Sequence, residues 1–560
     1  MSLMALSWSG QRGKSDVIAQ SATAGLALPD THESGRIRRP DLDRSLHWAM
    51  GIAISGVLGA AILYVVYSIY ADVNATGSPA ASLAPYIAIF AALLLALTFE
   101  FVNGFHDTAN AVATVIYTRS LPPHLAVVWS GMANLLGGLL SSGAVAYAII
   151  ALLPVELILQ VGSKAGIAMV FALLIAAIIW NLGTWYLGLP ASSSHTLIGS
   201  IIGVGVASAL INGREGTSGV NWSRAVEIGD SLLLSPFFGF ALAAVLLFAL
   251  KLVVGRAAVV AGANGDQPPR WRVRGALILT CTAVSFFHGA NDGQKGMNLV
   301  MLILIGTLPN AYALNRGMSA SQMDRFQIAS SAASKVIDSK AFGYDIIGDP
   351  RPAVARYVSH HQIDEGTYPS LAVLVRTIAA EVIKYGSIAK IPLKDVAKTR
   401  NDMYLASEAV RFLLRDRESE LSADDAAKLS AYRSTLDSAT KFIPLWVKIA
   451  VAIALGLGTM IGWKRIVITV GERIGKAQLS FAQGACAEIT AAATIAVADG
   501  FGLPVSTTHV LSSGIAGSMT ATGTGLHWLT VRNIVLAWVL TLPAAVALSG
   551  SFYWLFSRFL

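Results

Sequence analysis

Long uncharged stretches are the feature that most constrains this chain. Apolar runs of about 20 residues recur along it, and an α-helix of that length crosses roughly 30 Å of hydrocarbon. The composition agrees, because 13% of the 560 residues are charged, whereas a soluble chain carries about 25%. We therefore predict an all-α polytopic membrane protein with about ten to twelve transmembrane segments. The apolar runs lie at about Leu46–Tyr70, Tyr86–Phe99, Leu125–Leu153, Lys164–Leu187, Thr196–Leu210, Leu232–Val254, Gly275–Ile305, Phe442–Ile461, Ala482–Ala498 and Trp528–Phe556.

The net charge of +8 does not indicate a nucleic-acid-binding protein, because the sequence has no basic stripe with interleaved aromatic residues. Lys and Arg in short loops instead orient membrane proteins, since such loops stay on the cytoplasmic side. Arginines between residues 36 and 44 precede the first apolar run and predict a cytoplasmic N-terminus. Arginines between residues 256 and 274 predict a second cytoplasmic loop.

An internal repeat divides the chain into two related halves. FVNGFHDTAN at 101–110 resembles FFHGANDGQK at 286–295, an offset of 292 − 107 = 185 residues. GLPASSSH at 188–195 resembles GLPVSTTH at 502–509, an offset of 509 − 195 = 314 residues. The first copy follows a loop that we place outside and the second follows a cytoplasmic loop. The sequence therefore predicts two inverted-topology repeats with broken helices, an architecture of many transporters.

The two offsets differ because a polar segment interrupts the second half. Its charges of both signs alternate with helical periodicity, which predicts a soluble helical insert. If the preceding helix crosses the membrane once, this insert lies on the outer face. The predicted domains are a disordered basic tail at 1–45, an extra transmembrane helix and linker at 46–84, the first repeat at 85–255, the start of the second repeat at 256–308, the insert at 309–441 and the rest of the second repeat at 442–560.

Both copies of the first motif place an Asp and a nearby Asn inside an apolar run. An ionised carboxylate near the bilayer centre costs several kcal/mol unless it is paired or faces water. Neighbouring glycines, among them Gly104 and Gly289, allow a helix to break, and free backbone groups are tolerated where they line a site. We therefore predict broken helices at Asp107 and Asp292 that line a binding site. The alternative is a pair of buried Asp residues that cap helix fragments without a ligand.

The second motif places hydroxyl residues directly after a proline. This pattern is typical of a helix N-terminus, which offers unpaired N–H groups and a positive dipole end. Two such ends facing one another would bind a compact oxyanion and release it readily, because no arginine cluster holds it. Ordinary Ser/Thr capping at loop ends is the alternative.

Three basic residues near these motifs allow more than one interpretation. His195 and His509 can titrate near neutral pH and shuttle protons, or they can be hydrogen-bonded core residues. Lys295 stands where the first copy has Asn110. It can neutralise Asp292 or a bound anion, or form a purely structural salt bridge.

At these motifs the chain resembles the inorganic phosphate transporter (PiT) family, in particular its bacterial low-affinity carriers. The resemblance covers most of residues 85–560. It implies phosphate import by symport with protons in a multi-pass protein of the bacterial cytoplasmic (inner) membrane, without a cofactor. Magnesium or another divalent ion is a candidate co-substrate, as a metal–phosphate complex. The matching stretches are NGFHDTANAVATVIYTR, IIWNLGTWYLGLPASSSHTLIGSIIG, FFHGANDGQKGMNLVMLILIG, GTMIGWKRIVITVGERIGK and GLPVSTTHVLSSGIAGSM.

The resemblance also implies where the site lies. The predicted substrate-binding residues are Asp107, Asn110, Ser192, Ser193, Ser194, Asn291, Asp292, Ser506, Thr507 and Thr508. The predicted coupling-ion residues are Asn103, Asp107, Asn291, Asp292, His195 and His509. His106 stands where the second copy has Asn291, so a cation site need not be symmetric.

Three alternatives stay open at this point. More distant members of the family are sodium-coupled, so sodium can replace the proton. The cargo can be another oxyanion such as sulfate. An intramembrane serine hydrolase using Ser with His195 or His509 would need a nucleophile and base within hydrogen-bond reach, but the sequence lacks the glycine pattern of a nucleophile elbow. The oligomeric state is also open, with a homodimer as one candidate.

Overall fold

The computed structural model describes residues 40–42, 48–77, 83–150, 152, 163–262, 267–341, 348–416 and 421–559. The tail predicted at 1–45 therefore lies outside the described residues, except for 40–42. Helices dominate the described part, in agreement with the predicted all-α class. In chain order they are α1 (Trp48–Ala75), α2 (Leu83–Tyr117), α3 (Pro123–Leu140), α4 (Ala144–Ile150), α5 (Lys164–Tyr186), α6 (Ser193–Ile211), α7 (Trp222–Val254), α8 (Arg256–Val260), α9 (Trp271–Thr307), α10 (Pro309–Tyr312), α11 (Ala320–Lys340), α12 (Arg351–His360), α13 (Thr367–Tyr385), α14 (Leu393–Asp416), α15 (Ala423–Thr440), α16 (Leu445–Ile461), α17 (Lys464–Ile468), α18 (Phe481–Gly500), α19 (Thr507–Thr522) and α20 (Trp528–Phe559).

Nine helices of the described part are long and apolar enough to cross a membrane. They are α1, α2, α3, α5, α6, α7, α9, α18 and α20. The apolar helix α16 forms a pair with α15 that is bent by 74°, and counting this pair as one span gives ten. The observed number thus reaches the lower end of the predicted range.

Two helical hairpins contain the repeated Gly-Leu-Pro motif at their turns. The first hairpin is α5 and α6 with its turn at residues 187–192, and the second is α18 and α19 with its turn at 501–506. Gly188 and Gly502 have φ angles of 68° and 67°, which glycine adopts at no steric cost. The following proline cannot donate to the preceding helix. The predicted helix break is therefore confirmed at this motif in both halves.

The two hairpin turns approach from opposite ends of helix α16, which is about 25 Å long at 1.5 Å per residue. At its C-terminal end, the carbonyl oxygen of Gly462 accepts a hydrogen bond of 2.6 Å from the indole of Trp185, which lies just before the first turn. At its N-terminal end, Lys448 donates to the carbonyl oxygen of Ser141, close to Ala144, which contacts Gly502 of the second turn. The first hairpin ends at Ile211, shortly before the start of α7, whereas Ser480, just before the second hairpin, donates to the carbonyl oxygen of Val259, beyond the end of α7. The two hairpins therefore enter the bundle from opposite ends of α7.

Helices of one half pack on helices of the other. α6 lies along α20 and α19 lies along α7, so each hairpin is held by the last long helix of the opposite half. Likewise α3 packs against α9, and α16 packs against α2. This exchange brings the two hairpin turns to a shared position inside the bundle.

The helices that carry the Asp motifs are continuous, so the prediction of breaks at Asp107 and Asp292 is wrong. α2 runs from Leu83 to Tyr117 and α9 from Trp271 to Thr307. The glycines there serve close packing instead. A Cβ at Gly104 would meet the backbone of Leu455, and one at Gly289 would meet the backbone of Asn134.

The polar segment 309–441 contains α10 to α15, in agreement with the predicted helical insert. It packs on the ends of the membrane helices. Tyr312 donates a hydrogen bond of 2.7 Å to Asp72 at the end of α1, and Arg415 donates to Ser223 at the start of α7. The insert therefore lies at the end of the bundle that also contains the break between α3 and α4.

Candidate functional site

The two hairpin turns contact each other directly. The hydroxyl of Ser194 donates a hydrogen bond of 2.8 Å to the carbonyl oxygen of Val505. The rings of His195 and His509 lie with their centroids 4.7 Å apart. The predicted juxtaposition of Ser192–Ser194 with Ser506–Thr508 is therefore present, although these residues are 314 positions apart in the chain.

Each turn ends in a capped helix N-terminus. The side chain of Ser192 accepts a hydrogen bond from the amide of His195, and that of Ser506 accepts one from the amide of His509. The first amides of an α-helix have no intrahelical partner, and the dipole makes this end positive. Ser193 and Thr508, in the first turns of the two helices, are buried. Two positive helix ends thus converge on one buried position.

Asp292 lies beside the second of these helix ends. Thr507 donates a hydrogen bond of 3.3 Å to its Oδ2 atom. Lys295 donates one of 2.6 Å to its Oδ1 atom, and both of these charged side chains are fully buried. Charge-assisted hydrogen bonds of this kind are roughly twice as strong as neutral ones. The predicted site residue Asp292 therefore forms part of a buried ion pair.

Helix α9 is also bonded to the second hairpin by two amide side chains, one to its turn and one to the end of α18. Asn291 donates a hydrogen bond of 3.4 Å to the carbonyl oxygen of Leu503, and its own Oδ1 has no partner among the described residues. Gln294 donates one of 2.6 Å to Asp499 and accepts one of 2.8 Å from the amide of Val145. These bonds connect α9, the second turn and the break between α3 and α4.

The first half places a comparable polar group on α2. His106 donates from Nε2 to the carbonyl oxygen of Asn181 at 2.9 Å, and Thr196 donates to the side chain of Asn181 at 2.9 Å. One turn away, the buried Asn103 donates to Glu100 at 3.4 Å. The predicted residues Asp107 and Asn110 follow on the same helix, but their side chains lie outside the described part.

The two predicted histidines form a stacked group with an aromatic residue of α20. His509 stacks on Trp538 with ring centroids 4.0 Å apart, and the indole of Trp538 donates to the carbonyl oxygen of Pro190 in the first turn. The ring of His195 is tilted by 36° against that of His509. In the described part of the chain, no group of three or more His, Cys, Asp or Glu residues is placed to hold a metal ion.

A cavity of about 570 Å³ opens between the insert and the second turn. Its wall includes Phe501, Gly502 and Leu503, and the carbonyl of Leu503 is bonded to Asn291 of the site. Charged side chains from the insert and from the start of α7 also line this cavity. They are Arg224, Glu227, Glu408, Arg433, Asp437 and Lys441.

Glu408 is the carboxyl group that joins these charges. It lies 2.7 Å from Arg411 and 3.6 Å from Lys441. Burial acts to raise the pKa of Glu408, but Lys441 and Arg411 outweigh burial, and the pKa lies below its ordinary value. The carboxylate is therefore ionised at neutral pH and holds the cavity wall together.

Several residues of this site were not assigned from the sequence. Glu100 lies seven positions before Asp107, which is two helical turns and the same helix face, so its spacing was a usable signal. Lys295 was recognised as a candidate partner of Asp292 but was not assigned to the site. Asn181 and Gln294 had no distinguishing pattern, because single amides in apolar runs are uninformative without their partners.

A family model and several known proteins match most of the chain. A family model described as the phosphate transporter family matches residues 103–549. The chain is 44% identical over 490 residues to the low-affinity inorganic phosphate transporter PitA of Escherichia coli strain K12, covering 84% of this chain and 97% of that protein. It is 41% identical over 485 residues to PitB of the same strain, covering 83% and 96%. A solved structure described as the sodium-dependent phosphate transporter matches with a TM-score of 0.47 and 20% identity, covering 85% of this chain and 100% of that one.

Proposed function

Because this chain belongs to the phosphate transporter family, we propose that it imports inorganic phosphate across the bacterial cytoplasmic membrane by symport with protons. The observation that carries the proposal is the meeting of two helix N-termini, those beginning at Ser193 and Thr507, beside the buried Asp292. Transport is favoured over hydrolysis because the relatives are named transporters.

Phosphate would bind where the two hairpin turns meet. Amides and hydroxyls at Ser192–Ser194 and Ser506–Thr508 would donate hydrogen bonds to its oxygens, as helix N-termini do for phosphate groups. The hydroxyls of Ser194 and Thr507 would first give up their bonds to Val505 and Asp292. Asn291, whose Oδ1 is buried without a partner in the described part, would accept a hydrogen bond from a protonated phosphate oxygen. Such a site attracts an anion through dipoles and hydrogen bonds, so release does not require breaking several ion pairs.

A coupling cation would offset the charge of phosphate during translocation. Moving an uncompensated anion through the bilayer centre is costly, so the loaded site must be close to neutral. Protonation of Asp107 would supply one positive charge, and protonation of Asp292 would supply another wherever Lys295 does not already neutralise that carboxylate. Transport of phosphate as a neutral complex with magnesium would reduce the charge in another way.

The opposed hairpins support an alternating-access mechanism. Each hairpin enters from a different end of the bundle and reaches the shared site, so movement of one hairpin would open the site to one side only. The cavity beside Leu503 supports an entrance from the side of the insert. On that side, the bonds from Asn291 to the second turn and from Gln294 to Asp499 of α18 would close the path.

Uptake of radiolabelled phosphate into proteoliposomes tests the proposal, with the pH gradient, sodium and magnesium varied separately. An inward proton gradient should stimulate uptake, and Asp292→Asn should abolish it. Asp230→Asn is the matched control, since it makes the same change at an exposed position on the membrane helix α7. Uptake that Asp292→Asn leaves intact would remove the mechanism. Stimulation by sodium alone would show that sodium, not the proton, is the coupling ion. Full competition by sulfate would show that the carrier's substrate is not specifically phosphate.

A further inference from the structure

Lys295 is a position at which the two copies of the Asp motif differ in charge. In the first copy, Asp107 is followed three residues later by Asn110, and in the second, Asp292 is followed three residues later by Lys295. Residues three apart on a helix are neighbours on one face. In the first half, the residue three positions after the Asp is therefore an amide. In the second half, it is a permanent cation.

The geometry of this cation is that of a bound counter-ion. Its ammonium lies 2.6 Å from Asp292 Oδ1, and neither side chain is exposed. The second oxygen of Asp292 accepts from Thr507, at the start of the helix that would bind phosphate. Two further titratable side chains lie nearby: Glu100 packs against Gly296, the residue after Lys295, and His288 lies one helical turn before Asp292. The ammonium thus occupies the place beside the carboxylate that a mobile cation would take.

A carboxylate buried at this depth needs a compensating positive charge in every state of the transport cycle. A mobile sodium ion or proton can supply it, but that ion must then bind and leave in each cycle. An ammonium on the next helical turn supplies it permanently. Resting on the symport proposed above, we propose that Lys295 is a tethered counter-cation that takes the place of one mobile coupling cation at Asp292. The first half alone then carries the mobile cation.

A purely structural salt bridge makes a different prediction. If Lys295 only stabilised α9, removing it would weaken the fold without creating a new dependence on cations. If Lys295 instead neutralises a cation site, its removal should leave a vacant carboxylate that recruits a cation from solution. Lys295→Asn restores the Asp-x-x-Asn sequence of the first copy and is the variant of choice.

The decisive experiment is thermal unfolding of the purified full-length protein in lithium, sodium, potassium or choline chloride at equal ionic strength. The series is repeated from mildly acid to mildly alkaline pH, because a proton can also fill the vacancy. For Lys295→Asn we expect an unfolding temperature that rises with the concentration of a small cation or with acidity and then saturates, as binding to the folded state requires. The wild type should show a smaller cation response, confined to the first half. Equal responses of variant and wild type would overturn the proposal.

Two further variants are controls for misfolding of Lys295→Asn. Lys295→Arg keeps the tethered charge and should respond to cations as the wild type does. The double variant Asp292→Asn with Lys295→Asn lacks both charges, so it should fold and should lose the additional cation response. If Lys295→Asn folds only with a small cation or at acid pH, that rescue supports the proposal. If it folds under none of these conditions while the double variant folds, Lys295 is a structural partner and the proposal is overturned.

This measurement is independent of phosphate uptake. If the wild type imports no phosphate but Lys295→Asn gains the cation response, the proposed function is refuted and the counter-cation proposal is supported. If the wild type imports phosphate and Lys295→Asn gains no cation response, the counter-cation proposal is refuted and the proposed function is supported. In proteoliposomes, the same variant should acquire an additional dependence of phosphate uptake on the external cation.

Discussion

Substitution of Gly289 tests whether the glycines of the Asp motifs serve packing or bending. A Cβ at Gly289 would meet backbone atoms of Asn134 on α3, and a Cβ at Gly137 on α3 would meet the backbone of Phe286. The two helices therefore approach backbone to backbone at this crossing. Gly289→Ala places a methyl group against backbone atoms of α3. These atoms cannot rotate out of the way as a side chain can.

The expected loss of stability follows from two opposing effects. Overpacking in a well-packed interior costs about 1 to 3 kcal/mol, and the rigid backbone neighbour favours the upper value. Replacing Gly by Ala inside a helix stabilises the folded state by about 0.5 to 1 kcal/mol. The net loss should therefore be about 2 kcal/mol, which is roughly a 30-fold change in the folded-to-unfolded ratio. Because Asp292 lies one turn further along α9, the same displacement should lengthen its bond to Thr507 and slow phosphate uptake.

Thermal unfolding in detergent and initial uptake rates in proteoliposomes measure the two effects. Gly183→Ala is the matched control, because it lies inside the membrane helix α5 and a Cβ there meets nothing within 4 Å. The control should be as stable as the wild type or slightly more so, with normal uptake. The packing argument is refuted if Gly289→Ala behaves like the control. A variant of normal stability without uptake would instead indicate that bending at this glycine is part of the transport cycle.

Two further substitutions test the site and the insert. Thr507→Val removes a hydrogen-bond donor to Asp292, and a hydrogen bond to a charged group contributes about 2 kcal/mol. If uptake depends on that bond, the initial uptake rate at low phosphate should fall roughly 30-fold, whereas Thr507→Ser should retain most of the rate. Glu408→Gln leaves Lys441 and Arg411 without their shared carboxylate, and unfolding at neutral pH should show a loss of about 3 kcal/mol. Because the pKa of Glu408 lies below its ordinary value of 4.5, its contribution is present above that pH and is lost as the pH falls further. The difference between Glu408→Gln and the wild type should therefore vanish in strong acid, and a difference that persists there would contradict the ion-pair explanation.

The hairpin turns could be predicted from the sequence because their causes are local. Gly502 supplies the positive φ, Pro504 cannot donate a backbone hydrogen bond, and Ser506 caps the next helix. Each cause is visible in a window of five residues. The duplication then indicated that both turns belong to one site.

The continuity of α2 and α9 could not be predicted, because its cause is not local. Gly289 is suited to a break or to a close approach, and only the presence of Asn134 from a distant helix decides between them. For the same reason Asn181 and Gln294 were missed, since each acquires its role from a partner in another helix. The pair of Asp292 and Lys295 was recognisable because both residues lie on one helical turn.

Locating a phosphate analogue in the protein tests the central claim most directly. A structure with arsenate, whose arsenic atom scatters anomalously, would give the position of the anion independently of the protein density. We expect one strong peak between the two hairpin turns, within hydrogen-bond distance of the amides at Ser193 and Thr507, and none in the variant Thr507→Pro, which lacks one of these donors. A peak confined to the cavity beside Arg433 and Lys441, with none between the turns, would contradict the account.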